Sequence, residues 1–448
     1  MRLFGTDGIR GRVNSEPMTP DSVLRVGMAA AKVLKNKHGR NMVLIGKDTR
    51  LSGYMIESAL TSGICSMGMN VILVGPIPTP GIAFLTRALR LDAGIVISAS
   101  HNAFDDNGIK FFSGDGFKLP DDIEAEMEEL ILDEGRMKRR SYGAHIGKAF
   151  RLDDATGRYI EYIKSTIPRG ENLEGLKVVV DSAHGAAYKV TPWVLRELGA
   201  EVISMNDRPD GVNINQGCGS LHMEGMINAV VKHNANIGIA HDGDADRTLF
   251  CDENGRVVDG DLIMGLLAAD MKKNGQLNKD TVVSTVMSNL GLENYLKGKG
   301  IDMLRTQVGD KYVVGKMREG GYNFGGEQSG HIVFFDHNTT GDGPITALKM
   351  LYLLKKKRRK LSELAGKVKL YPQVLENIEV SKKKNPETIP EVQKAIEKVN
   401  EDLKGRGRVL VRSSGTEPKV RIMVEADSKT LVKSSIDHLS KVVKKAYK

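Results

Sequence analysis

The feature that most constrains the fold of this chain is one order of elements that recurs three times. In each round, a short apolar run rich in β-branched residues indicates a buried strand, and a helical pattern, a second strand, another helical pattern and a third strand follow it. The residues differ between rounds, but this order is typical of a mainly parallel sheet covered by helices. The predicted strands lie at 42–50, 70–75 and 93–102, at 177–185, 200–206 and 235–247, and at 281–289, 301–310 and 322–331.

Length and the positions of these rounds predict four domains. The chain has 448 residues, which is several times the usual size of one domain. At 408–426 the segment RVLVRSSGTEPKVRIMVEA indicates two strands joined by a loop, within a Lys-rich region. We expect three consecutive α/β domains with mixed, mainly parallel sheets and a smaller C-terminal α+β domain around a central cleft. Their expected bounds are 1–150, 151–254, 255–368 and 369–448.

Composition argues against a membrane protein, a disulfide framework and a nucleic-acid binder. No window holds the roughly 18 uncharged apolar residues of a membrane span. Cys65, Cys218 and Cys251 are widely spaced and form no CxxC, which predicts a reducing compartment and a cytoplasmic location. The net charge of +9 comes partly from basic runs at 355–360 and 382–384, which no aromatic residues interrupt. We interpret these runs as solvated helix ends or linkers, and the positive charge as suited to a small anionic substrate.

The third strand of the first round ends in the stretch 94-GIVISASHNAFDDNGIKFF-112, where polar side chains interrupt an apolar run. Ligands of open α/β sheets bind beyond the carboxyl ends of strands, so the polar loops of the three rounds are candidates to share one cleft. Alternatively, Ser98, Ser100 and Asn102 serve only to cap a following helix or turn.

The second loop, HDGDADR, predicts a divalent metal site. Asp242, Asp244 and Asp246 alternate after an apolar strand, so their carboxylates point the same way and would repel one another without a cation. Oxygen ligands of this kind suit Mg²⁺ or Ca²⁺. An EF-hand is excluded because Arg247 occupies the position at which that loop needs glycine. A solvent-exposed acidic turn is the alternative.

Three carboxylates leave a divalent ion with open positions, which phosphate oxygens commonly fill. Ser100 would supply them if it were phosphorylated, and Arg10, Lys110 and Arg247 are basic residues available to neutralise a phosphoryl group in transfer. A serine hydrolase is the other interpretation of Ser100. No GxSxG elbow occurs and His101 is adjacent in sequence, which is poor geometry for a general base, but His184 and His331 remain available as partners.

Two further loops carry candidate binding residues. In GGEQSGH, Glu327, Ser329 and His331 alternate among glycines, a pattern that suits the hydroxyls or amine of a sugar or, alternatively, a simple turn. In RSSGTEPKVR, hydroxyls and backbone N–H groups between two arginines favour a phosphate site over a polar hairpin turn. A Walker loop is not indicated. The candidate residues of this last loop are Arg412, Ser413, Ser414, Gly415, Thr416 and Arg421.

These four loops, in this order, resemble those of the α-D-phosphohexomutase superfamily over essentially the whole chain. GTDGIRG at 5–11, NINQGCGS at 213–220 and the Gln in GEQSGH favour the members that act on glucosamine phosphates. Two positions depart from the common pattern. Ala103 stands where many relatives have Pro, and Lys311 stands in VGDKYV where Arg is common.

The resemblance implies a reaction and a role for each loop. Glucosamine 6-phosphate and glucosamine 1-phosphate would interconvert through a phosphoserine enzyme and a 1,6-bisphosphate, in support of UDP-N-acetylglucosamine synthesis. One Mg²⁺ per subunit would be the cofactor, and glucosamine 1,6-bisphosphate or a similar hexose bisphosphate the activator. The implied residues are Ser100, Arg10, Lys110, Arg247 and His101 for catalysis, with Lys110 as acid/base, Ser100, Asp242, Asp244 and Asp246 for the metal, and Glu327, Ser329, His331, Lys311 and the loop from Arg412 to Arg421 for substrate.

Several other functions stay open on the sequence alone. The same chemistry could act on mannose or glucose phosphates, and the same cleft could serve a metal-dependent phosphatase. A phosphosugar sensor without catalysis and a nucleic-acid binder acting through 355–360 are further rivals. Our expected partner is a small phosphosugar, with no nucleic acid and no membrane, and a homodimer is an oligomeric state left open.

Overall fold

The computed structural model describes residues 3–5, 7–35, 39–381, 384–413 and 419–447. The chain forms two compact units, each of which is described by itself. The first comprises Met1–Met287 and Ile301–Gly366, and the second comprises Ser288–Gly300 and Lys367–Lys448.

The N-terminal third of the first unit is built on a seven-stranded sheet. Its elements are β1 (Phe4–Gly5), β2 (Gly8–Arg12), α1 (Pro20–Leu34), β3 (Met42–Lys47), α2 (Ser52–Ser66), β4 (Asn70–Pro76), α3 (Thr79–Ala88), β5 (Ala93–Ile97), β6 (Asp106–Ser113), α4 (Asp121–Leu132) and β7 (Ala149–Arg151). The strand order is β1-β2-β6-β5-β3-β4-β7. β7, β4, β3 and β5 run parallel, while β6 returns antiparallel beside β5. All five residues of β5 are buried, which explains its continuous apolar sequence.

A second, five-stranded sheet follows in the same unit. Its elements are α5 (Ala155–Ser165), β8 (Lys177–Asp181), α6 (Val190–Glu197), β9 (Glu201–Met205), α7 (Glu224–His233), β10 (Ile237–His241), β11 (Thr248–Asp252) and β12 (Val257–Val258). The order is β12-β11-β10-β8-β9. β9, β8 and β10 are parallel, and β11 runs back antiparallel to β10.

The third sheet has four strands. Its elements are α8 (Gly260–Lys273), β13 (Thr281–Thr285), β14 (Asp302–Thr306), α10 (Asp310–Gly320), β15 (Phe324–Gly326), β16 (Ile332–Phe334), α11 (Gly343–Lys357) and α12 (Leu361–Ala365), whereas α9 (Leu290–Lys297) belongs to the second unit. The order is β14-β13-β15-β16, with β15 and β16 antiparallel. All nine strands of the three predicted rounds are therefore present.

The second unit contains a three-stranded antiparallel sheet covered by helices. Its elements besides α9 are β17 (Gln373–Glu379), α13 (Pro390–Asp402), β18 (Gly407–Ser413), β19 (Lys419–Ala426) and α14 (Lys429–Ala446), with β19 at the centre of the sheet. The predicted strand pair is β18 and β19. The sequence pattern did not indicate β17, because only one of its seven residues is buried and its apolar alternation is weak.

The basic run at 355–360 coincides with the end of a helix, which agrees with its interpretation as a solvated helix end. α11 ends at Lys357, and Lys356 and Lys357 both form ion pairs with Asp270. In the second run, Lys382 and Lys383 lie outside the described residues. Within the described part of the chain, no helix is both long and apolar enough to cross a membrane. The fold thus consists of mixed α/β sheets and a smaller C-terminal antiparallel domain.

Candidate active site

The polar loop after β5 presents a buried serine hydroxyl to the loop after β10. Ser100 is 2% exposed and has a left-handed backbone φ of 52°. Its Oγ donates a 2.7 Å hydrogen bond to Asp242 Oδ2 and lies 3.3 Å from His101 Nδ1. The structure therefore brings the loops of the first and second rounds into direct contact.

The three aspartates form a buried carboxylate cluster. One oxygen from each of Asp242, Asp244 and Asp246 lies within 4.8 Å of the others. Burial raises the pKa of Asp242, and the neighbouring Asp246 and Asp244 carboxylates raise it further. Oδ1 of Asp244 and Oδ1 of Asp246 are buried without a hydrogen-bond partner among the described residues. Because buried charges need pairing, and oxygen ligands suit hard cations, this donor set fits a divalent metal.

Lys110, on β6, lies on the acidic cluster. Its Nζ is 2.7 Å from Asp244 Oδ2, 3.1 Å from Asp7 Oδ2 and 3.6 Å from Asp246 Oδ2. Burial alone would lower the pKa of Lys110, but the carboxylates of Asp244, Asp7 and Asp246 more than offset it, so the pKa is raised above the ordinary lysine value. In this arrangement Lys110 is an ammonium, able to donate a proton or neutralise an anion.

Two arginines complete the basic side of the cluster. Arg247 follows Asp246 in the loop after β10 (241–247), here called the metal loop. Its Nε lies 3.9 Å from Asp246 Oδ1. Although burial acts to lower the pKa of Arg247, the carboxylates of Asp246 and Asp242 raise it above the ordinary value. Arg10 forms an ion pair with Asp7. Nε of Arg10 and Nε of Arg247 are buried donors without a hydrogen-bond partner within the described ranges, as expected where a further anion binds.

The loop after β15 lies next to this cluster. Gly309 N donates to Glu327 Oε1 at 3.1 Å, and Ser329 Oγ lies 3.4 Å from Glu327 Oε2. His331 Nε2 lies 3.9 Å from Asp246 Oδ2 and accepts a 3.2 Å hydrogen bond from Gly341 N. All three predicted loops of the first unit therefore contribute to one region.

Lys311 differs in position from the other predicted residues. Its Nζ lies 3.0 Å from Asp121 Oδ1, at the exposed start of α4. The neighbouring Asp310 is the residue that points to the cluster, with Oδ2 3.5 Å from His331 Nε2.

Four residues that the sequence interpretation missed also take part. Lys118 forms ion pairs with both Asp7 and Asp310, and Thr79 Oγ1 donates a 2.7 Å hydrogen bond to Asp244 Oδ2. Asp7 lies within GTDGIRG and Asp310 within VGDKYV, so those motifs could have indicated them. Lys118 and Thr79 carry no local signal.

The serine hydrolase interpretation finds no support in the geometry. His331 Nε2 accepts a hydrogen bond from Gly341 N. For His184, it is the backbone carbonyl and not the imidazole that accepts a hydrogen bond from Thr49 Oγ1, at 2.5 Å. Among the described residues, neither imidazole hydrogen bonds to Ser100 Oγ. His101, the nearest one, has a pKa lowered by burial and by the adjacent Arg247 and Arg10.

The fourth loop belongs to the second unit. Arg412 and Arg421 lie directly opposite each other on the antiparallel strands β18 and β19. Burial and the proximity of Arg421 lower the pKa of Arg412. Ser413 ends β18, and its Oγ donates to Lys384 O at 2.8 Å. The predicted residues Ser414, Gly415 and Thr416 lie outside the described residues.

Comparison with family models assigns every part of this arrangement to one family. The four phosphoglucomutase/phosphomannomutase models match, with α/β/α domain I at 1–137, domain II at 157–255, domain III at 259–371 and the C-terminal domain at 375–441. The chain belongs to this family of phosphohexomutases. The domain bounds that we expect from the sequence stay predictions.

Individual relatives narrow the position of the chain within the phosphohexomutases. It is 56% identical over 450 residues to the phosphoglucosamine mutase of Thermodesulfovibrio yellowstonii, with 99% of each chain covered. It is 54% identical over 442 residues to that of Citrifermentans bemidjiense, with 99% of this chain and 97% of the relative covered. The resemblance noted in the sequence is confirmed, and the chain is an isomerase of the phosphohexomutase family.

A solved structure shows the same fold over the full length. The chain matches a phosphoglucomutase/phosphomannomutase family protein from Burkholderia thailandensis with a TM-score of 0.83 and 25% identity, covering 99% of this chain and 97% of that one. The family acts on phosphosugars, so a small phosphosugar is the partner of this enzyme.

Proposed function

We propose that this phosphohexomutase interconverts glucosamine 6-phosphate and glucosamine 1-phosphate through phosphorylated Ser100 and a 1,6-bisphosphate. The phosphoserine would give its phosphoryl group to the free hydroxyl of the sugar phosphate. The bisphosphate would then reorient and return its other phosphate to Ser100. The observation that carries the proposal is the 2.7 Å hydrogen bond between Ser100 Oγ and Asp242 Oδ2, within a buried carboxylate cluster that fits a divalent cation.

Asp242, Asp244 and Asp246 would hold the metal, for which Mg²⁺ is our proposal because carboxylates plus phosphate oxygens are its usual ligands. When bound, Mg²⁺ neutralises charge on the phosphate oxygens. The buried Oδ1 atoms of Asp244 and Asp246, which have no hydrogen-bond partner among the described residues, support this assignment.

The basic residues would stabilise the phosphoryl group during transfer, which depends mostly on positioning and charge neutralisation. Arg10 and Arg247 each carry a buried Nε that makes no hydrogen bond to another described residue and is available for phosphate oxygens. Lys110, held as an ammonium by its carboxylate neighbours, would donate a proton to Ser100 Oγ as the phosphoryl group leaves it. As acid/base, Lys110 would recover a proton from the sugar hydroxyl that accepts the phosphoryl group. His101, whose Nδ1 lies 3.3 Å from Ser100 Oγ, would hydrogen bond to that oxygen during the transfer.

The remaining candidates would bind the sugar and the phosphate that is not being transferred. Glu327 and Ser329 lie side by side and would hydrogen bond the amine and hydroxyls of the sugar. His331, whose Nε2 lies 3.9 Å from Asp246 Oδ2, is a further proposed substrate residue. The cross-strand Arg412 and Arg421 would bind the distal phosphate, because two guanidiniums placed opposite each other call for an anion. Lys311 stays a predicted substrate ligand, which would have to leave Asp121 to act.

The replacement Ser100→Ala tests the proposal. We expect glucosamine phosphate isomerisation to fall to background while the protein keeps its melting temperature, because the variant cannot carry the phosphoryl group. Ser58→Ala, which removes an exposed helical hydroxyl bonded to Tyr54 O, is the matched control and should keep full activity. Activity of Ser100→Ala within tenfold of the wild type would refute the phosphoserine assignment.

Substrate choice requires a separate assay. With a catalytic amount of hexose 1,6-bisphosphate, we expect kcat/KM to be highest for glucosamine phosphate among the glucosamine, glucose and mannose phosphates. A higher value for mannose or glucose phosphate would instead favour a phosphomannomutase or phosphoglucomutase with the same mechanism. Release of inorganic phosphate at the rate of isomerisation would indicate a phosphatase.

A further inference from the structure

A fully buried arginine lies beneath the loop that carries Ser100. Arg50 is 0% exposed and follows β3 in the sequence. Its Nε donates to Asp48 Oδ2 at 2.9 Å, and its backbone N donates to Asp48 Oδ1 at 3.0 Å. Asp48 is itself only 2% exposed. A buried ion pair is costly to form and is kept only where its remaining donors are well used, so the other bonds of Arg50 are informative.

The other described hydrogen bonds of the Arg50 side chain go to backbone carbonyls of the loop at 98–104, here called the serine loop. Nη2 of Arg50 donates to Ser100 O at 2.9 Å and to Asn102 O at 3.0 Å, and Nη1 donates to Ala103 O at 2.5 Å. The planar fork of the guanidinium therefore binds three carbonyls of one short loop. A lysine could not replace this pattern, because its single ammonium lacks the fixed geometry of the fork.

Two of these three carbonyls, those of Ser100 and Asn102, accept a second hydrogen bond, from Asn215. Asn215 Nδ2, from the NINQGCGS segment, donates to Ser100 O at 2.9 Å and to Asn102 O at 3.0 Å. Asn215 itself has a left-handed φ of 60°. The serine loop is thus held both by a residue that follows β3 and by a residue that precedes α7.

Asp48 also reaches the serine through a hydroxyl. Ser98 Oγ donates to Asp48 Oδ2 at 2.7 Å, and Ser100 N donates to Ser98 Oγ at 2.9 Å. Ser100 adopts a φ of 52°, in a region that non-glycine residues occupy only when their surroundings hold them there. The contacts of Asp48, Arg50 and Asn215 are those surroundings.

We propose that Arg50, paired with Asp48, and Asn215 are positioning residues that hold the Ser100 loop in its left-handed conformation and so direct Ser100 Oγ to Asp242. In the described contacts Arg50 and Asn215 bind backbone carbonyls of the loop, and Asp48 binds Arg50 and the Ser98 hydroxyl. Ser100 Oγ itself is hydrogen bonded to Asp242. The holding of the loop is a property of the fold. Its effect on turnover rests on the proposed function, so the two are measured separately.

Asn215→Gly is the first test variant, because glycine keeps the left-handed backbone and removes only the donor. Asn234→Gly is its matched control, since Asn234 also has a left-handed φ, of 50°, at the end of α7. Hydrogen–deuterium exchange of peptides covering 98–104 measures loop holding without substrate. We expect Asn215→Gly to speed that exchange roughly tenfold or more, since two hydrogen bonds are lost, and Asn234→Gly to leave it unchanged.

Arg50→Lys is the second test variant, with Arg158→Lys as its control on an exposed ion pair of α5. On the full-length enzyme, we expect Arg50→Lys and Asn215→Gly to lower kcat by about tenfold or more. We expect KM for glucosamine phosphate to change by less than about threefold, because the donors of both residues go to carbonyls of the serine loop and not to the proposed sugar-binding residues. A defect that only reduced the folded fraction would speed exchange throughout the protein, whereas loss of loop holding speeds it at 98–104 alone.

The outcomes separate the two claims. Unchanged exchange at 98–104 in Asn215→Gly would overturn the positioning proposal. If Ser100→Ala is inactive, as proposed, a kcat within twofold of wild type in Asn215→Gly would overturn it as well. If Arg50→Lys does not fold, Asn215→Gly decides alone. If exchange rises as expected but Ser100→Ala is fully active, the holding of the Ser100 loop stands and the proposed phosphoserine chemistry fails.

Discussion

At the scale of single residues, the contact between the serine loop and the metal loop leaves no room for one methyl group. A Cβ built on Gly243 would lie 2.5 Å from Ser100 O and 2.9 Å from Asn215 Nδ2. Both atoms are already fixed by hydrogen bonds to each other, at 2.9 Å. The glycine is needed here for close approach and not for an unusual backbone angle.

Gly243→Ala should therefore separate the two loops. We expect kcat to fall by about tenfold or more, because a displacement of even 1 Å in a transfer site is costly. Gly157→Ala, on α5 with open space around the glycine, is the matched control and should be active and slightly more stable. Steady-state kinetics of both variants checks this, and normal turnover by Gly243→Ala would show that the loops need not touch.

Another single residue gives a pH-dependent prediction. Asp342 caps α11 and accepts hydrogen bonds from Tyr159 Oη and Asn338 Nδ2, with no cation among its described contacts. Burial raises the pKa of Asp342 to about 6. The folded state therefore holds this proton to a higher pH than the unfolded state does, so stability is lost as pH rises from about 4 to about 6.

Relative to Asp342→Asn, which cannot titrate there, the wild type should lose about 2 kcal/mol of unfolding free energy between pH 4 and pH 7. Melting temperatures of both proteins across this range provide the measurement, and other titrating groups cancel in the difference. A difference that stays constant with pH would mean that Asp342 ionises at its ordinary pKa.

At the scale of elements, every candidate loop joins a strand to an antiparallel return strand. β5 and β6, β10 and β11, β15 and β16, and β18 and β19 are the four pairs. The sequence predicted the first strand of each pair and its polar end, because a buried run followed by carboxylates or hydroxyls is a local pattern. In the first three pairs the return strands were not predicted, because a short apolar run after a loop fits several elements.

Contacts between distant elements could not be predicted from the sequence either. Lys118 is 111 residues from Asp7 and 192 residues from Asp310, yet it contacts both. Arg50 and Ser100 are separated by 50 residues, and nothing near Arg50 indicates that its side chain is buried. Strand order determines such pairs, and the periodicity of the sequence indicates strands without giving their order.

The pair of strands β18 and β19 carries its own prediction. Arg412→Met removes one of two opposed guanidiniums, so we expect KM for the sugar phosphate to rise about tenfold or more, the value of one charge-assisted hydrogen bond. Arg406→Met, which breaks an exposed ion pair with Asp427 in the same unit, is the control and should leave KM unchanged. An unchanged KM in Arg412→Met would remove Arg412 from the phosphate site.

At the scale of the whole molecule, the first compact unit holds the complete set of groups proposed for transfer. Ser100, the three aspartates, the basic residues and the Glu327 loop all belong to it, while the second unit carries the opposed arginines. Net charge of +9 agrees with an anionic substrate. A homodimer and a cytoplasmic location stay predictions.

The most direct measurement is peptide mapping by mass spectrometry of the enzyme after incubation with a hexose 1,6-bisphosphate and Mg²⁺, and again after addition of excess glucosamine 6-phosphate. The account predicts one phosphoryl group on the peptide that contains Ser100 in the first sample and its loss to the sugar in the second. A phosphoryl group on another residue, or a Ser100 that stays unmodified while the enzyme turns over, would contradict it.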